Sequence, residues 1–216
     1  MPQIDENWFF TLSKHIFFGE ISRKFKVELL KNFMDFFYII YEHIGCKFEI
    51  LSNNYIILYD ELVEKEITSA DISSEDRVLV IGGGSIPATP VLIAKKTKAK
   101  VTVIDKDPLA IKNASSFIKK HNLEKNIDLK HAEGMIYPVE NFNVIFVLYG
   151  IKKNKELLNY IYKNTKKDSL IIFRAAFDSL KNLKECTNFL SNIYEVKEQI
   201  ESEKFSKTIS FLLKIK

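Results

Sequence analysis

Three consecutive glycines and one aspartate carry the first chemical signal in this chain. Gly82, Gly83 and Gly84 end the apolar run Arg77-Val78-Leu79-Val80-Ile81. Asp105 ends a second such run, Lys100-Val101-Thr102-Val103-Ile104, about twenty residues on. A β-branched run that stops at glycines and resumes past Pro90 as an apolar, Lys-bearing segment reads as buried strand, tight turn and helix. Glycine lets the chain turn sharply and lets a ligand approach backbone N–H groups with no Cβ between them. A carboxylate at the end of the next strand can take both hydroxyls of a ribose. The pair points to a nucleoside cofactor, against the plainer alternative of an α/β domain with a glycine turn and no ligand.

Which nucleoside turns on the third glycine position. A dinucleotide fingerprint wants glycine there, so that the pyrophosphate sits on the helix N-terminus. In Gly82-Gly83-Gly84-Ser85-Ile86-Pro87 that place is held by Pro87. Proline has no N–H to give an anion and stiffens the loop through its fixed φ. A cofactor without phosphate loses nothing by this. S-adenosylmethionine is one: an adenosine with a sulfonium and an amino-acid tail.

The elements that must position these residues come from the rest of the chain. Its 216 residues suit one domain with an appendage, and a 46% hydrophobic share argues against disorder. The 32 basic and 28 acidic residues leave a net charge of +4 with no basic stripe, so nucleic-acid binding is not argued for. Cys46 and Cys186 stand far apart, which fits reduced thiols in a cytoplasmic setting. His15, His43, His121 and His131 show no ligand spacing, so no catalytic metal is expected. No signal peptide is expected at the N-terminus, and no apolar stretch approaches the roughly 20 residues of a membrane span. There is no internal repeat.

Residues 1–70 read as a small helical N-terminal region, and residues 71–216 as the nucleoside-binding domain. Trp8, Phe9, Phe10, Leu12, Ile16, Phe17 and Phe18 suggest a short helix, and the apolar positions from Phe25 to Tyr41 a longer one. Aromatics this dense fit a core, a lid or a homodimer surface. A short extended piece is expected at Lys47–Leu51, a break at Ser52-Asn53-Asn54, then a helix through Tyr55, Leu58, Tyr59, Leu62 and Val63. Thr68–Glu75 reads as a linker. Strands and helices then alternate, the mark of a parallel sheet. Asp107-Pro108 opens a helix to about His121. Strands are expected at 126–129, 143–150 and 169–174, with helices near 156–162 and 180–190. Two final extended runs, 193–200 and 208–215, flank a polar turn and read as an antiparallel hairpin. The fold class is therefore α/β, and its terminal hairpin resembles the Rossmann-like class I methyltransferase sheet more than a nicotinamide domain.

Three short stretches sharpen that resemblance. Gly82-Gly83-Gly84-Ser85-Ile86-Pro87-Ala88-Thr89 resembles the Gly-x-Gly-Pro-Leu-Pro-x-Thr loop of nicotianamine synthases, with Ser85 in place of the first loop proline. Asn54-Tyr55-Ile56-Ile57-Leu58-Tyr59-Asp60-Glu61 is similar to that family's Asn-Tyr-x-x-Leu-x-x-Glu segment. Phe173-Arg174-Ala175-Ala176 resembles its strand ending in Arg-Ser-Ala, although Phe177-Asp178 follows where the family has His-Gly. The resemblance implies transfer of the 3-amino-3-carboxypropyl arm of S-adenosylmethionine onto a small amine or amino acid. Methyl transfer, or a catalytically silent adenosyl-binding protein, stays open as an alternative; an NAD-binding oxidoreductase is the weakest reading.

Roles follow from the resemblance and the positions together. Gly82, Gly84, Ser85 and Pro87 would wall the cofactor, and Asp105 would hold its ribose. Glu133 would face the adenine amine, and Tyr149 would sit at the C-terminal edge of the sheet, where ligands of such folds bind. Tyr55 would orient the reacting carbon or bind a carboxylate, Glu61 would steer an ammonium or act as base, and Arg174 would grip a substrate carboxylate. Each has a plainer reading: a tight turn, a helix cap, a loop acid, a packing tyrosine, a solvated helix face or a structural ion pair.

Overall fold

A computed structural model describes residues 49–149, 153–176, 180–202 and 208–216, with the backbone alone at 49–55, 180 and 181. The aromatic helices, the dimer surface and Cys46 of the sequence reading lie outside those residues. In chain order the elements are α1 (Glu49–Ser69), β1 (Arg77–Ile81), α2 (Ala88–Thr97), β2 (Lys100–Asp105), α3 (Pro108–Lys120) and β3 (Ile127–His131). There follow β4 (Val144–Val147), α4 (Asn154–Asn164), β5 (Leu170–Ala176), α5 (Leu180–Ile193), β6 (Tyr194–Glu201) and β7 (Thr208–Ile215).

The seven strands form one sheet in the order β3-β2-β1-β4-β5-β7-β6. The first five pair in parallel, while β7 runs antiparallel to both β5 and β6. The hairpin does not simply extend the sheet: its second strand enters between β5 and the first. This is the Rossmann-like class I methyltransferase sheet that the terminal hairpin resembled.

Both faces of the sheet are covered, so its central strands are apolar throughout rather than alternating. Val78 and Val80 of β1 pack with α1 and α2 in one core, and Leu79 and Ile81 pack with α4 in the other. Phe146 and Ile172 belong to the first layer, and Ile145, Ile171 and Phe173 to the second. Successive side chains of a strand leave on opposite faces, which sends Arg174, the neighbour of Phe173, toward the α1 side.

Helix α1 departs from the sequence reading. Glu49–Leu51 is helical, not extended, and the helix runs straight through Ser52-Asn53-Asn54. Those polar residues are moderate helix formers whose side chains favour caps and turns. Here a long helix packed on the sheet overrides that local preference. Tyr59, Leu62, Val63, Glu66 and Ala70 are buried along one stripe, while Ile57, Glu64, Lys65 and Thr68 face water. The helix ends in a paired-bond turn: Ile72 N–H donates to Ile67 O, Asp71 N–H to Thr68 O, and Asp71 takes φ 49°. The expected linker is thus an ordered stop, with Ile72 buried beneath it.

Helix α3 begins as its Asp-Pro dipeptide suggests. The Asp107 carboxylate accepts from Leu109 N–H at 2.8 Å, and Pro108 fills the first helical position. Asp107→Ala is expected to cost about 1 kcal/mol of stability, read as a lower urea midpoint with an unchanged slope.

Candidate functional site

The glycine turn joins β1 to α2 at the C-terminal edge of the sheet, and its geometry is dictated by β2 beside it. Gly82 N–H donates to Ile104 O at 2.9 Å and Gly83 N–H to the same oxygen at 3.4 Å. Gly84 N–H donates to the Asp105 carboxylate at 2.9 Å. A Cβ on Gly83 would lie 2.2 Å from Val103 Cγ1, a side chain buried within β2. Gly84 has φ +64°, and a Cβ there would meet nothing within 4 Å. Glycine is therefore needed at 83 for close packing and at 84 for a left-handed turn that faces open space.

This loop offers an anion few donors. All three glycine N–H groups are bonded to β2, in contrast to the sequence expectation that a ligand would meet them. Pro87, the N-cap of α2, and Pro90 in its first turn have no N–H, and Ala88 N–H is bonded to Ile86 O at 2.8 Å. Anion sites at helix N-termini depend on these groups. The glycines and prolines of the turn therefore leave no N–H of their own for a pyrophosphate.

The other expected residues are distributed around this edge. Asp105 is half-buried and accepts from Gly84 N–H through one oxygen and from Asp107 N–H, at 3.0 Å, through the other. An ionised carboxylate has about four lone-pair sites, so two remain for hydroxyl donors. Ser85 is buried and within 3.5 Å of Asn113 Nδ2. Glu133 is exposed just past β3, where its carbonyl closes a turn to Ile136 N–H. Glu61 is half-buried and pairs at 2.9 Å with Lys65, whose ammonium also donates to Glu201 O at the end of β6. Tyr55 lies in the same helix about one turn before Tyr59.

Tyr149 follows β4, and its hydroxyl is buried with no hydrogen-bond partner among the described residues. Burial pushes its phenol well above the usual tyrosine range; nearby Tyr59 and Glu66 add to this, while Arg174 and a side-chain contact with Thr208 work against it. A buried hydroxyl near Thr208 with no hydrogen bond of good geometry is the kind of group a ligand can complete.

Arg174 departs most from its expected role. Rather than opening a fork toward a substrate, it lies 1% exposed against Glu66, which is 0% exposed. Its Nε donates to one Glu66 oxygen at 2.7 Å, its Nη2 donates to the other, and its Nη1 donates to Thr89 Oγ1 at 2.8 Å. Ser210 Oγ, directly across the β5–β7 pair from Arg174, donates to Glu66 at 2.6 Å. The Arg174 guanidinium also lies 5.6 Å over the Tyr59 ring. Burial alone would lower the Arg174 pKa, but the charge and hydrogen bonds of Glu66 hold it above the usual arginine value. The guanidinium holds a carboxylate of its own chain.

Glu66 was absent from the sequence-derived site, yet a signal for it was present. It falls on the stripe of Tyr59, Leu62, Val63 and Ala70, and a carboxylate on a buried stripe must find a cation and hydrogen bonds. Among the described residues, no group of His, Cys, Asp and Glu is placed to hold a metal ion, and no helix is long and apolar enough to cross a membrane.

The sheet order and this turn define a Rossmann-like fold of the class I methyltransferase type. Residues 72–186 match the family model described as "Putative NAD(P)-binding", and the chain belongs to that family. The match spans the strand-turn-helix-strand unit that nucleoside-binding domains share and stops within α5, before β6 and β7. A curated relative is the L-histidine 2-aminobutanoyltransferase of Yersinia pestis, 27% identical over 82 residues, which is 38% of this chain and 31% of that protein. The matched stretch thus spans under a third of the relative's length. Among solved structures, MtNAS in complex with MTA and tNA is similar at a TM-score of 0.66 and 15% identity, over 99% of this chain and 78% of that one. An RNA methyltransferase from Salinibacter ruber in complex with S-adenosyl-L-homocysteine is similar at a TM-score of 0.58 and 12% identity, over 72% and 90% of the two chains. At these identities the solved structures show a common fold.

Two outcomes follow from the site's geometry. Gly83→Ala forces its new methyl against Val103 and is expected to cost about 1–3 kcal/mol, measured by chemical denaturation. Tyr149 should also make stability depend on pH at the alkaline end. Its folded-state pKa is raised, so its contribution is complete below the ordinary tyrosine value of about 10 and is lost as pH rises from there toward the folded value. Denaturation at stepped pH should show Tyr149→Phe losing less stability than the unsubstituted chain above pH ~10; parallel curves would contradict the raised phenol.

Proposed function

We propose that the chain is an S-adenosylmethionine-dependent transferase that moves the 3-amino-3-carboxypropyl group onto a small amine or amino acid. The observation that carries the cofactor is the turn whose glycine N–H groups are all bonded to β2 and whose following helix starts between two prolines. Such a turn suits an adenosine without phosphates. Asp105 would hold the ribose through its remaining lone pairs, the open side of Gly84 would admit the amino-acid part, and Glu133 would border the adenine. Tyr149 would direct its neutral hydroxyl at the ligand as a donor. The bonding of the turn is also what turns the reading away from NAD(P), despite the family's description.

The bound sulfonium supplies activation of the carbons attached to it, so the chain's residues have to position a nucleophile and remove its proton. The acceptor nitrogen forms a new C–N bond as the C–S bond breaks. The bonding pair leaves on sulfur as a neutral thioether, and the ammonium proton passes to a base, for which Glu61 is the candidate. Tyr55 would orient the reacting carbon. Support for the carboxypropyl arm comes from the loop, Asn-Tyr and Arg motifs, from the activity in the name of the Yersinia pestis relative, and from the MTA bound to MtNAS. Methyl transfer is the second reading, favoured by the likeness to an S-adenosylhomocysteine-bound methyltransferase.

Incubating the purified chain with S-adenosylmethionine and a panel of amines and amino acids separates these readings by the nucleoside released. Methylthioadenosine is expected; S-adenosylhomocysteine would replace carboxypropyl by methyl transfer. Binding without either product from any acceptor would leave an adenosyl-binding protein. Asp105→Ala removes a carboxylate that accepts from the loop and is expected to weaken S-adenosylmethionine binding about tenfold or more. Calorimetry should read that loss, and tighter binding of NAD than of S-adenosylmethionine would sink the proposal.

A further inference from the structure

The residues singled out by the loop motif and the strand motif touch one another. Thr89, the last residue of the loop motif, accepts from Arg174, the charged residue of the strand motif, at 2.8 Å. Both are bonded through Arg174 to Glu66, which belongs to neither. Ser210 completes the set from β7. Thr89, Ser210, Arg174 and Glu66 are all buried, so water does not compete for these bonds. Four segments meet at one carboxylate: α1, the first turn of α2, β5 and β7.

The first turn of α2 is packed through buried Ala88, Pro90 and Val91, and Arg174 adds a directional bond to that packing. The N-cap of α2 is Pro87, with no side-chain hydrogen bond to the helix. The usual local device that sets the angle between loop and helix is therefore absent. The Thr89 hydroxyl, two residues past Pro87, is held from outside the helix by Arg174. The bearing of α2, and with it the Ser85-Ile86-Pro87 wall of the turn, is tied by this bond to where Arg174 sits. Arg174 in turn sits where Glu66 and Ser210 hold it.

We propose that Glu66 is a positioning residue for the glycine turn: through Arg174 and Thr89 it sets the loop that receives the cofactor. The same pair seats α1, which carries Tyr55 and Glu61, so one buried carboxylate aligns both walls of the site. The ligand named in the test rests on the S-adenosylmethionine reading above; the effect on the loop does not. A buried ion pair that serves only the fold can be replaced by apolar residues of similar size with little loss. A positioning pair cannot, because an apolar replacement has no donor for Thr89.

The test compares the full chain with Glu66→Met/Arg174→Met, Thr89→Val and Thr89→Ser. Amide hydrogen exchange is measured without ligand, beside melting temperature and S-adenosylmethionine titration. In the double variant and in Thr89→Val, exchange across residues 82–89 is expected to rise about tenfold, an opening easier by some 1.4 kcal/mol. Exchange across β5 and β7 should stay at the wild-type level, and Thr89→Ser, which keeps the hydroxyl, should restore the loop. The affinity for S-adenosylmethionine should fall in step with loop exchange, not with melting temperature. Wild-type exchange across 82–89 in Thr89→Val overturns the inference, and that variant decides alone if the double variant does not fold. Loop exchange that rises as expected in a chain that never binds S-adenosylmethionine upholds the positioning role and removes the ligand reading instead.

Discussion

A carboxylate and a guanidinium can leave water together where neither can leave alone. Each would cost several kcal/mol to bury unpaired, and removing one partner of such a pair destabilises by about 3–5 kcal/mol. Glu66 sits in the middle of the apolar stripe of α1, so the helix cannot dock on the sheet unless Arg174 is waiting there. Arg174 is carried by a strand whose alternation turns it to that face, and Ser210 stands opposite it only because β7 enters beside β5. Helix α1, the first turn of α2, β5 and β7 are thus joined around one satisfied charge. On the solvent side the same two helices are bridged by Lys96 to Asp60 and Glu64, at 3.1 and 2.9 Å. Exposed pairs of that kind contribute at most about 1 kcal/mol.

At the C-terminal edge the arrangement is one of subtraction. The glycine N–H groups that a phosphate could use are bonded to β2, and Pro87 and Pro90 have none to give. What remains open is a carboxylate with spare lone pairs, a hydroxyl without a partner, and empty space beside Gly84. Such an edge favours hydroxyl-bearing and cationic groups over anionic ones. A fold shared by dinucleotide and adenosyl-sulfonium enzymes can be turned toward one of them by which N–H groups it leaves unbonded.

Much of this was legible in the chain because local and tertiary signals agree there. The apolar runs of β1 and β2 end at glycine and at aspartate, and the ends of those strands carry the turn and the carboxylate. The Asp107-Pro108 start of α3 and the two closing strands are equally plain, since capping and period-two patterns act over a few residues. What was not legible is non-local. Ser52-Asn53-Asn54 looks like a stop, and packing overrides it. Arg174 could hold a ligand or the protein itself, and only its distance to Glu66 decides between them. That β7 inserts rather than appends is set by pairing across the sheet, which no single stretch encodes.

The bond between Ser210 and Glu66 closes a loop of 144 residues, and that between Arg174 and Glu66 one of 108. Contacts so far apart along a chain form late, because the entropy of closing the loop precedes any gain from the contact. Until β7 has entered between its neighbours, Glu66 has no complete set of partners, and α1 gains little by lying on the sheet. The parallel strands and their glycine turn can assemble before that moment; the wall that α1 forms over them cannot. The polar contacts that hold α1 on the sheet therefore depend on β7, the strand farthest from it along the sequence.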